Sequence, residues 1–328
     1  MDLSIIIVNY NTRKLLKNCL NSIFKSLEKS KLSFEVIIVD NNSTDGSVGL
    51  VKELTSRKVN GLTSSRVNEL KNKRINSLIN NSLINNKSTI KLIENKKNLG
   101  FGRANNQAIK PFGKTQGEQA QGEYILLLNS DTEVINNGIN QLLTFIKENK
   151  EVDIAGGRLL NKDGSAQASC GPFYSLPICF LMLFLKGDRL NLTRWSPKKL
   201  REVDWVSGAC LMAKRVVFEK LSFDENIFMY MDEIEFLYRA KKTGFRVFFY
   251  PQAEFFHLGA ASSKEKKAPV LNIFRGLLYF YQKHHSGWRL FLLKLMLKIK
   301  AIEAYLLGVL TNNHYLKQTY AQAFILVR

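Results

Sequence analysis

The stretch Leu3-Ser4-Ile5-Ile6-Ile7-Val8, followed by Asn9-Tyr10-Asn11, decides the fold: six residues rich in β-branched side chains end abruptly in a polar turn. A short, continuous apolar run of this kind is what a parallel strand buried on both faces needs. Thr12 is placed to cap a helix whose apolar residues Leu15, Leu16, Cys19, Leu20, Ile23, Phe24 and Leu27 keep helical spacing. Phe34 to Val39 repeats the strand signature and stops at Asp40-Asn41-Asn42-Ser43-Thr44-Asp45-Gly46-Ser47, which can cap a second helix at about Asp45 to Leu54. Strand, helix, strand, polar loop, helix opens an α/β doubly wound sheet flanked by helices, and such sheets bind ligands at the carboxyl ends of their strands.

Downstream the pattern breaks twice. From Thr55 to Lys87 the chain turns to Asn, Ser, Lys and Arg and contains the tandem repeat Ser77-Leu78-Ile79-Asn80-Asn81 and Ser82-Leu83-Ile84-Asn85-Asn86. It offers little apolar surface to offset ordering entropy and is an expected insertion. A smaller polar insertion is expected at about Lys114 to Gln121. Between them Thr89 to Glu94 reads as a strand, a Gly-containing loop starts at Asn98, and a short helix lies near Asn105 to Lys110. Tyr124 to Leu128 is a strongly apolar strand that exits into Asn129-Ser130-Asp131-Thr132-Glu133, and polar residues at a strand exit point to function. Further on, Gly138 to Glu148 reads as helix, the region of Ile154 as a short strand, and Leu176 to Leu185 as an apolar run in a loop-rich stretch. Val203 to Met212 reads as strand, Arg215 to Leu221 and Asp232 to Thr243 as helices, and Phe245 to Tyr250 as strand. The tail from Leu271 is helical and apolar, but Lys294, Lys298, Lys300 and Glu303 interrupt it, so it suits a membrane surface better than a span.

The composition agrees with a large core and an anionic partner. Of 328 residues 45% are hydrophobic, and 48 Lys and Arg face 28 Asp and Glu, a formal charge of +20. The scattered cysteines Cys19, Cys170, Cys179 and Cys210 form no metal-ligand spacing and read as buried thiols of a reducing compartment. The start of the chain carries no basic region followed by a long apolar stretch, and the expectation is a cytoplasmic protein.

The motifs, taken in order, resemble the family-2 inverting glycosyltransferases of the GT-A fold, in their rhamnosyltransferase-like branch. They are Ser4 to Asn11, Val39 to Ser47, Asn98-Leu99-Gly100-Phe101-Gly102, Leu128-Asn129-Ser130-Asp131 and Trp205-Val206-Ser207-Gly208-Ala209. The resemblance covers Asp2 to Leu54, Thr89 to Lys110 and Glu123 to Ser263, so the domain is expected at 1–263 and a helical, membrane-associating tail at 264–328. It implies that Asn9 and Asp40 hold a donor nucleotide, with Tyr10 stacking on its base and Arg103 beside it. It also implies that Asn129, Trp205 and Gly208 lie under the donor sugar and acceptor. Asn129-Ser130-Asp131 stands in the place of the family's D-x-D motif, and Asn129 departs from the first Asp. That leaves Asp131, with His257, as the expected ligands of Mg2+ or Mn2+.

Within Met231-Asp232-Glu233-Ile234-Glu235 the resemblance makes Glu233 the base that takes the acceptor's proton, with Asp232 in reserve. Each residue also has a plainer reading. Asp40 and Asp45 can simply cap a helix, Arg103 can be a surface cation, and Asp232, Glu233 and Glu235 can be first-turn acids, with Arg239 the i,i+4 partner of Glu235. The implied substrates are a dTDP- or UDP-linked sugar, rhamnose among the candidates, and a glycan or polyprenyl-linked acceptor at the inner face of the plasma membrane. Nucleic acid is not expected, because no RNP or zinc-finger motif accompanies the charge. A nucleic-acid binder and an inactive membrane-associated scaffold of the same fold are the rival readings.

Overall fold

A computed structural model describes residues 1–56, 88–109, 119–259 and 267–328. The first half runs β1 (Leu3–Asn9), α1 (Arg13–Leu27), β2 (Phe34–Asp40), α2 (Ser47–Ser56), β3 (Ser88–Glu94), α3 (Phe101–Ile109), β4 (Tyr124–Leu128), β5 (Thr132–Val134) and α4 (Gly138–Glu148). The second half runs β6 (Ile154–Leu160), β7 (Ala166–Gln167), β8 (Cys170–Gly171), α5 (Leu176–Phe184), β9 (Arg201–Glu202), β10 (Trp205–Val206), β11 (Cys210–Lys214), α6 (Arg215–Lys220), α7 (Asp232–Lys242) and β12 (Val247–His257). Three helices close the chain: α8 (Lys267–His284), α9 (Trp288–Leu310) and α10 (His314–Leu326).

The main sheet has the order β3-β2-β1-β4-β11-β6-β12-β5, with β7 on β6 and β9 on β12, while β8 and β10 form a separate ribbon. Strands β3, β2, β1 and β4 are parallel, and β11 enters antiparallel between β4 and β6, so the sheet is mixed. Strand alternation loads both faces. Leu3, Ile5 and Ile7 join one apolar layer with α1, α2 and α4, whereas Ile6, Ile37, Ile125 and Leu127 join the other with α3, α6 and α7. That two-sided burial is why the strands read as continuous hydrophobic runs.

Several expectations are corrected. Helix α3 starts at Phe101 rather than Asn105, because Gly100 adopts φ +82° and the Phe101 amide is held by the Phe228 carbonyl at 3.1 Å. The strand expected over Val203 to Met212 is two strands, broken by the turn in which the Cys210 amide donates to the Ser207 carbonyl. Leu176 to Leu185 is not loop: helix α5 begins with Pro177 in its first turn and buries Cys179. The strand at Phe245 to Tyr250 runs on to His257 through an irregularity after Tyr250, and the strand at Ile154 extends to Leu160. Thr12 occupies the N-cap position without a capping bond, and Asp45 instead accepts from the Arg13 amide at 2.6 Å. The repeat at 77–86 and most of both expected insertions lie outside the described residues.

The tail shares the domain's core. Leu271, Phe274, Leu277 and Phe280 of α8 are buried in the same layer as Phe236 and Leu237 of α7, and the Tyr281 hydroxyl donates to the Tyr174 carbonyl at 2.8 Å. Glu235, with no exposed surface, binds Arg239 at 2.7 Å, Lys283 at 2.8 Å and His284 at 3.1 Å, tying α7 to α8. Beyond that contact α9 is apolar on two sides. Leu293, Leu297, Ala301 and Ala304 are buried, while Phe291, Leu295, Ile299, Ile302, Leu306 and Leu310 form an exposed stripe at helical spacing. Among the described residues no helix is long and apolar enough to cross a membrane.

The Glu235 cluster makes stability depend on pH. Burial alone raises the Glu235 pKa, but the hydrogen bonds from Arg239 and Lys283 outweigh it and the net shift is downward. Its contribution is therefore complete above the unfolded value of about 4.3 and disappears as pH falls through the folded pKa. Burial also lowers the His284 pKa against the raising effect of Glu235, so stability declines as pH falls below about 6.5. Glu235→Gln should cost about 2 kcal/mol at pH 7, less than the 3–5 of a wholly buried pair because Arg239 and Lys283 reach solvent. Melting temperatures from pH 7 to 3 check this, with the expectation that the variant loses less stability below about pH 4.3 while keeping the decline near 6.5.

Candidate active site

The carboxyl ends of β1, β2 and β4 open into a cleft of about 680 Å³. At one end the in-register pairing of Asn9 with Asp40 lets Asn9 Nδ2 donate to Asp40 Oδ1 at 2.8 Å, and the other carboxylate oxygen accepts from the Ser43 amide at 2.8 Å. Thr12 donates to Asn9 Oδ1 at 2.6 Å and meets the Ser130 hydroxyl at 2.8 Å, linking this loop to the exit of β4. Asn9 and Asp40 are buried and organise the loop from behind, while Tyr10, Asn41, Asn98 and Gly100 line the cleft. Arg103 does not line it either: its guanidinium pairs with Glu225 at 2.9 Å.

At the β5 end of the sheet the antiparallel register of β12 and β5 sets His257 opposite Thr132, next to Asp131. His257 Nε2 lies 3.4 Å from Asp131 Oδ1 and 3.3 Å from Asn129 Nδ2. Gln167 fixes the ring: its amide nitrogen donates to Asn161 Oδ1, so its oxygen faces His257 Nδ1 at 2.6 Å and takes that proton. Nε2 is then the ring nitrogen that faces Asp131. A carboxylate and an imidazole nitrogen converging at the edge of a cleft suit a divalent cation. No group of three or more His, Cys, Asp or Glu gathers there among the described residues, so the remaining ligands must come from a bound anion or water.

The floor is the break between β10 and β11. Ala209 accepts from the Asn129 amide at 3.2 Å, and Gly208 faces the acidic pair. A Cβ on Gly208 would stand 2.9 Å from the Phe101 ring and 3.7 Å from the Glu233 Cβ, so only glycine lets both approach. Trp205 is buried beneath, its indole N–H on the Pro172 carbonyl at 2.9 Å. Asp232 and Glu233 open α7 and line the same cleft. Asp232 is almost fully buried, and that burial, followed by the charge of Glu233, pushes its carboxyl pKa well up. Asp232 is thereby the harder of the two to ionise, and Glu233 is the more exposed carboxyl of the pair. Glu235 is excluded from the chemistry by its structural ion pairs.

Asn129, Asp131, Trp205, Gly208, Asp232, Glu233, His257 and Tyr10 line one cleft, and Asn9, Asp40 and Arg103 do not. Sequence reasoning missed Tyr174, Arg194 and the turn at Phe228 to Tyr230, which complete the walls, and Gln167, which holds the His257 ring. Nothing in their local sequence marks them.

Comparison with known proteins places this architecture. The family model described as glycosyl transferase family 2 matches residues 4–76 and 78–221, and the chain belongs to that family as a glycosyltransferase. The chain is 28% identical over 212 residues to an N-acetylglucosaminyl-diphospho-decaprenol L-rhamnosyltransferase of Mycobacterium tuberculosis, covering 61% of this chain and 69% of that one. It is 27% identical over 247 residues to the low-salt glycan biosynthesis hexosyltransferase Agl10 of Haloferax volcanii, covering 75% and 64%. Rhamnosyltransferase WbbL of Escherichia coli is 27% identical over 163 residues, 48% of this chain and 60% of its own length. The mannosyltransferase PcManGT from Pyrobaculum calidifontis, solved with GDP-Man and Mn2+, shares the fold with a TM-score of 0.52 at 16% identity, over 99% of this chain and 85% of that one. The fold is GT-A, a mixed sheet flanked by helices.

The paired donors at Asp131 and His257 lead to a measurable expectation. Titrating Mn2+ with a nucleotide diphosphate present should give paramagnetic broadening of the nucleotide's phosphorus resonances, and Asp131→Ala and His257→Ala should each weaken it at least about tenfold. Unchanged broadening in both variants would exclude the pair as the metal site.

Proposed function

We propose that this glycosyltransferase moves a sugar from a nucleotide-diphosphate donor to an acceptor hydroxyl with inversion, using Glu233 as base. The observation that carries the reading is that a single glycine turn, Ser207-Gly208-Ala209, joins Glu233 on one side to Asn129, and so to Asp131 and His257, on the other. In the step, the acceptor oxygen bonds to the anomeric carbon as the carbon–phosphate oxygen bond breaks, and the hydroxyl proton goes to the Glu233 carboxylate. Asp232, the harder of the two to ionise, stays out of the transfer. A Mg2+ or Mn2+ ion held by Asp131 and His257 would neutralise charge growing on the departing diphosphate. Tyr10 offers a ring for the base of the nucleotide, dTDP or UDP, and the rhamnosyltransferases among the relatives make rhamnose the first sugar to test.

For the acceptor we favour a lipid-linked glycan reached from the inner face of the plasma membrane. The exposed stripe on α9 and the lysines Lys294 and Lys298 beside it match an anionic lipid surface in both polarity and charge. Met182, Pro269 and Ile273 carry apolar surface from α5 and α8 into the cleft itself.

Glu233→Gln keeps shape and hydrogen-bonding capacity but cannot take the proton. Transfer should fall by about two to four orders of magnitude while donor affinity changes little. If Asp232→Asn gives that pattern and Glu233→Gln does not, the base is Asp232. Co-sedimentation with phosphatidylglycerol vesicles tests the lipid surface: Phe291→Glu with Ile299→Glu should abolish it, and binding equal to wild type would refute it.

A further inference from the structure

Among the described residues lining the cleft, Arg194 is the one lysine or arginine, and the transfer step above gives it no work. Its guanidinium carbon sits 5.5 Å from the centre of the Trp205 ring, and Nη2 donates to the Ala168 carbonyl at 3.3 Å. Nε is buried with no hydrogen-bond partner, and among the described residues no carboxylate pairs with the group. Asp188, which lines the same wall, is occupied by the Thr193 hydroxyl. A guanidinium fixed over an indole, with a buried Nε that makes no hydrogen bond, keeps an unmet demand that an anion would satisfy. Its planar fork fits phosphate oxygens, and its seat on Trp205 removes much of the rotamer freedom that binding would otherwise have to quench.

The anion's source follows from the neighbours. The donor's diphosphate already has Asp131 and His257 for its cation, at the ends of β4 and β12. Arg194, Tyr174, Trp205 and Glu233 line one cleft, and the acceptor must reach Glu233. Met182, Phe228, Met229 and Ile273 supply apolar wall to the same cleft.

We propose that Arg194 is a phosphate subsite for the acceptor, taking the diphosphate of a lipid-linked substrate whose first isoprenoid carbons lie on Met182, Phe228, Met229 and Ile273. This rests on the transferase reading of the cleft and adds the feature by which it tells a lipid diphosphate from a neutral glycan.

Calorimetric titration of the full chain with inorganic pyrophosphate and with farnesyl diphosphate, both in EDTA, tests it. Wild type should bind both, and farnesyl diphosphate more tightly. Arg194→Gln should weaken both by about 10- to 100-fold, the range for a charge-assisted hydrogen bond, with Arg194→Lys intermediate because an ammonium lacks the fork. Melting temperatures of the variants within a few degrees of wild type confirm that they are folded, and Arg194→Lys carries the test if Arg194→Gln does not fold. Unchanged affinities in the Arg194 variants overturn the proposal. Loss of Mn2+-dependent UDP or dTDP binding in Arg194→Gln also overturns it, by assigning the arginine to the donor. Equal affinities for the two probes overturn the lipid half and leave a soluble phosphate. Donor hydrolysis by wild type, assayed across nucleotide sugars, is read separately: its absence would sink the transferase reading while leaving the phosphate binding standing.

Discussion

The acidic pair points into the cleft because the chain reverses just before it, at Tyr230 (φ 63°) and Met231 (φ 70°). Two consecutive side-chain-bearing residues in the left-handed region cost of order 1–3 kcal/mol each, so the surroundings must over-determine the turn. Two glycines do so from opposite sides. A Cβ on Gly100 would lie 2.1 Å from the Phe228 carbonyl, which accepts from the start of α3, and a Cβ on Gly276 of α8 would lie 2.7 Å from Met231. The turn is clamped between the start of α3 and the tail helix α8, and through it both reach Glu233. The Glu235 cluster sits one helical turn on and fixes α7 to the same tail helix. What the sequence divides at 263/264 is thus mechanically one body, since removing α8 would leave the strained turn without a wall.

Electrostatics then divides the labour among three neighbouring acids by environment alone. Glu235 is held down by the cations that surround it, Asp232 is pushed up by burial and by the adjacent Glu233, and Glu233 is left facing the cleft. Identical chemistry in the side chains gives three roles. The order along the helix matters, because positions one apart point in different directions from the helix axis.

The parts legible in the sequence are those whose signal is local. The alternation of Leu3, Ile5 and Ile7 against Ile6 announced a strand covered on both faces, and the polar exits after Val8 and Leu128 announced the cleft. Asp131, His257 and Glu233 were legible because an ordered set of motifs brackets them. Long-range geometry was not. The start of α3 depends on the Phe228 carbonyl, more than 120 residues away, and the split of the Val203 to Met212 strand depends on β10 finding β8 instead of the main sheet. Nor was the pairing of Asn9 with Asp40 legible, since it comes from the register of β1 on β2. Arg194 and Gln167 carry no local mark at all, since one is defined by Trp205 beneath it and the other by His257 beside it.

The two apolar sides of α9 explain the composition of the tail and why its periodicity resisted a simple reading. A helix that only packed on the domain would show one apolar stripe and a polar remainder. Here Leu293, Leu297 and Ala301 satisfy the domain, and Phe291, Leu295, Ile299, Ile302, Leu306 and Leu310 remain in contact with water. A second apolar stripe of that length carries a continuous hydration cost unless something covers it. The lysines interspersed along the same helix decide between covers: an apolar protein partner would have to desolvate them, whereas an anionic bilayer takes the stripe into its acyl boundary while its headgroups meet the ammonium groups. The charge of +20 and the tail's hydrophobicity, which pull in opposite directions for a free globule, would be reconciled at such a boundary under the proposed function. Because α8 also walls the cleft with Ile273 and Asn272, a chain seated there would present its active site next to the plane in which a lipid-linked acceptor diffuses.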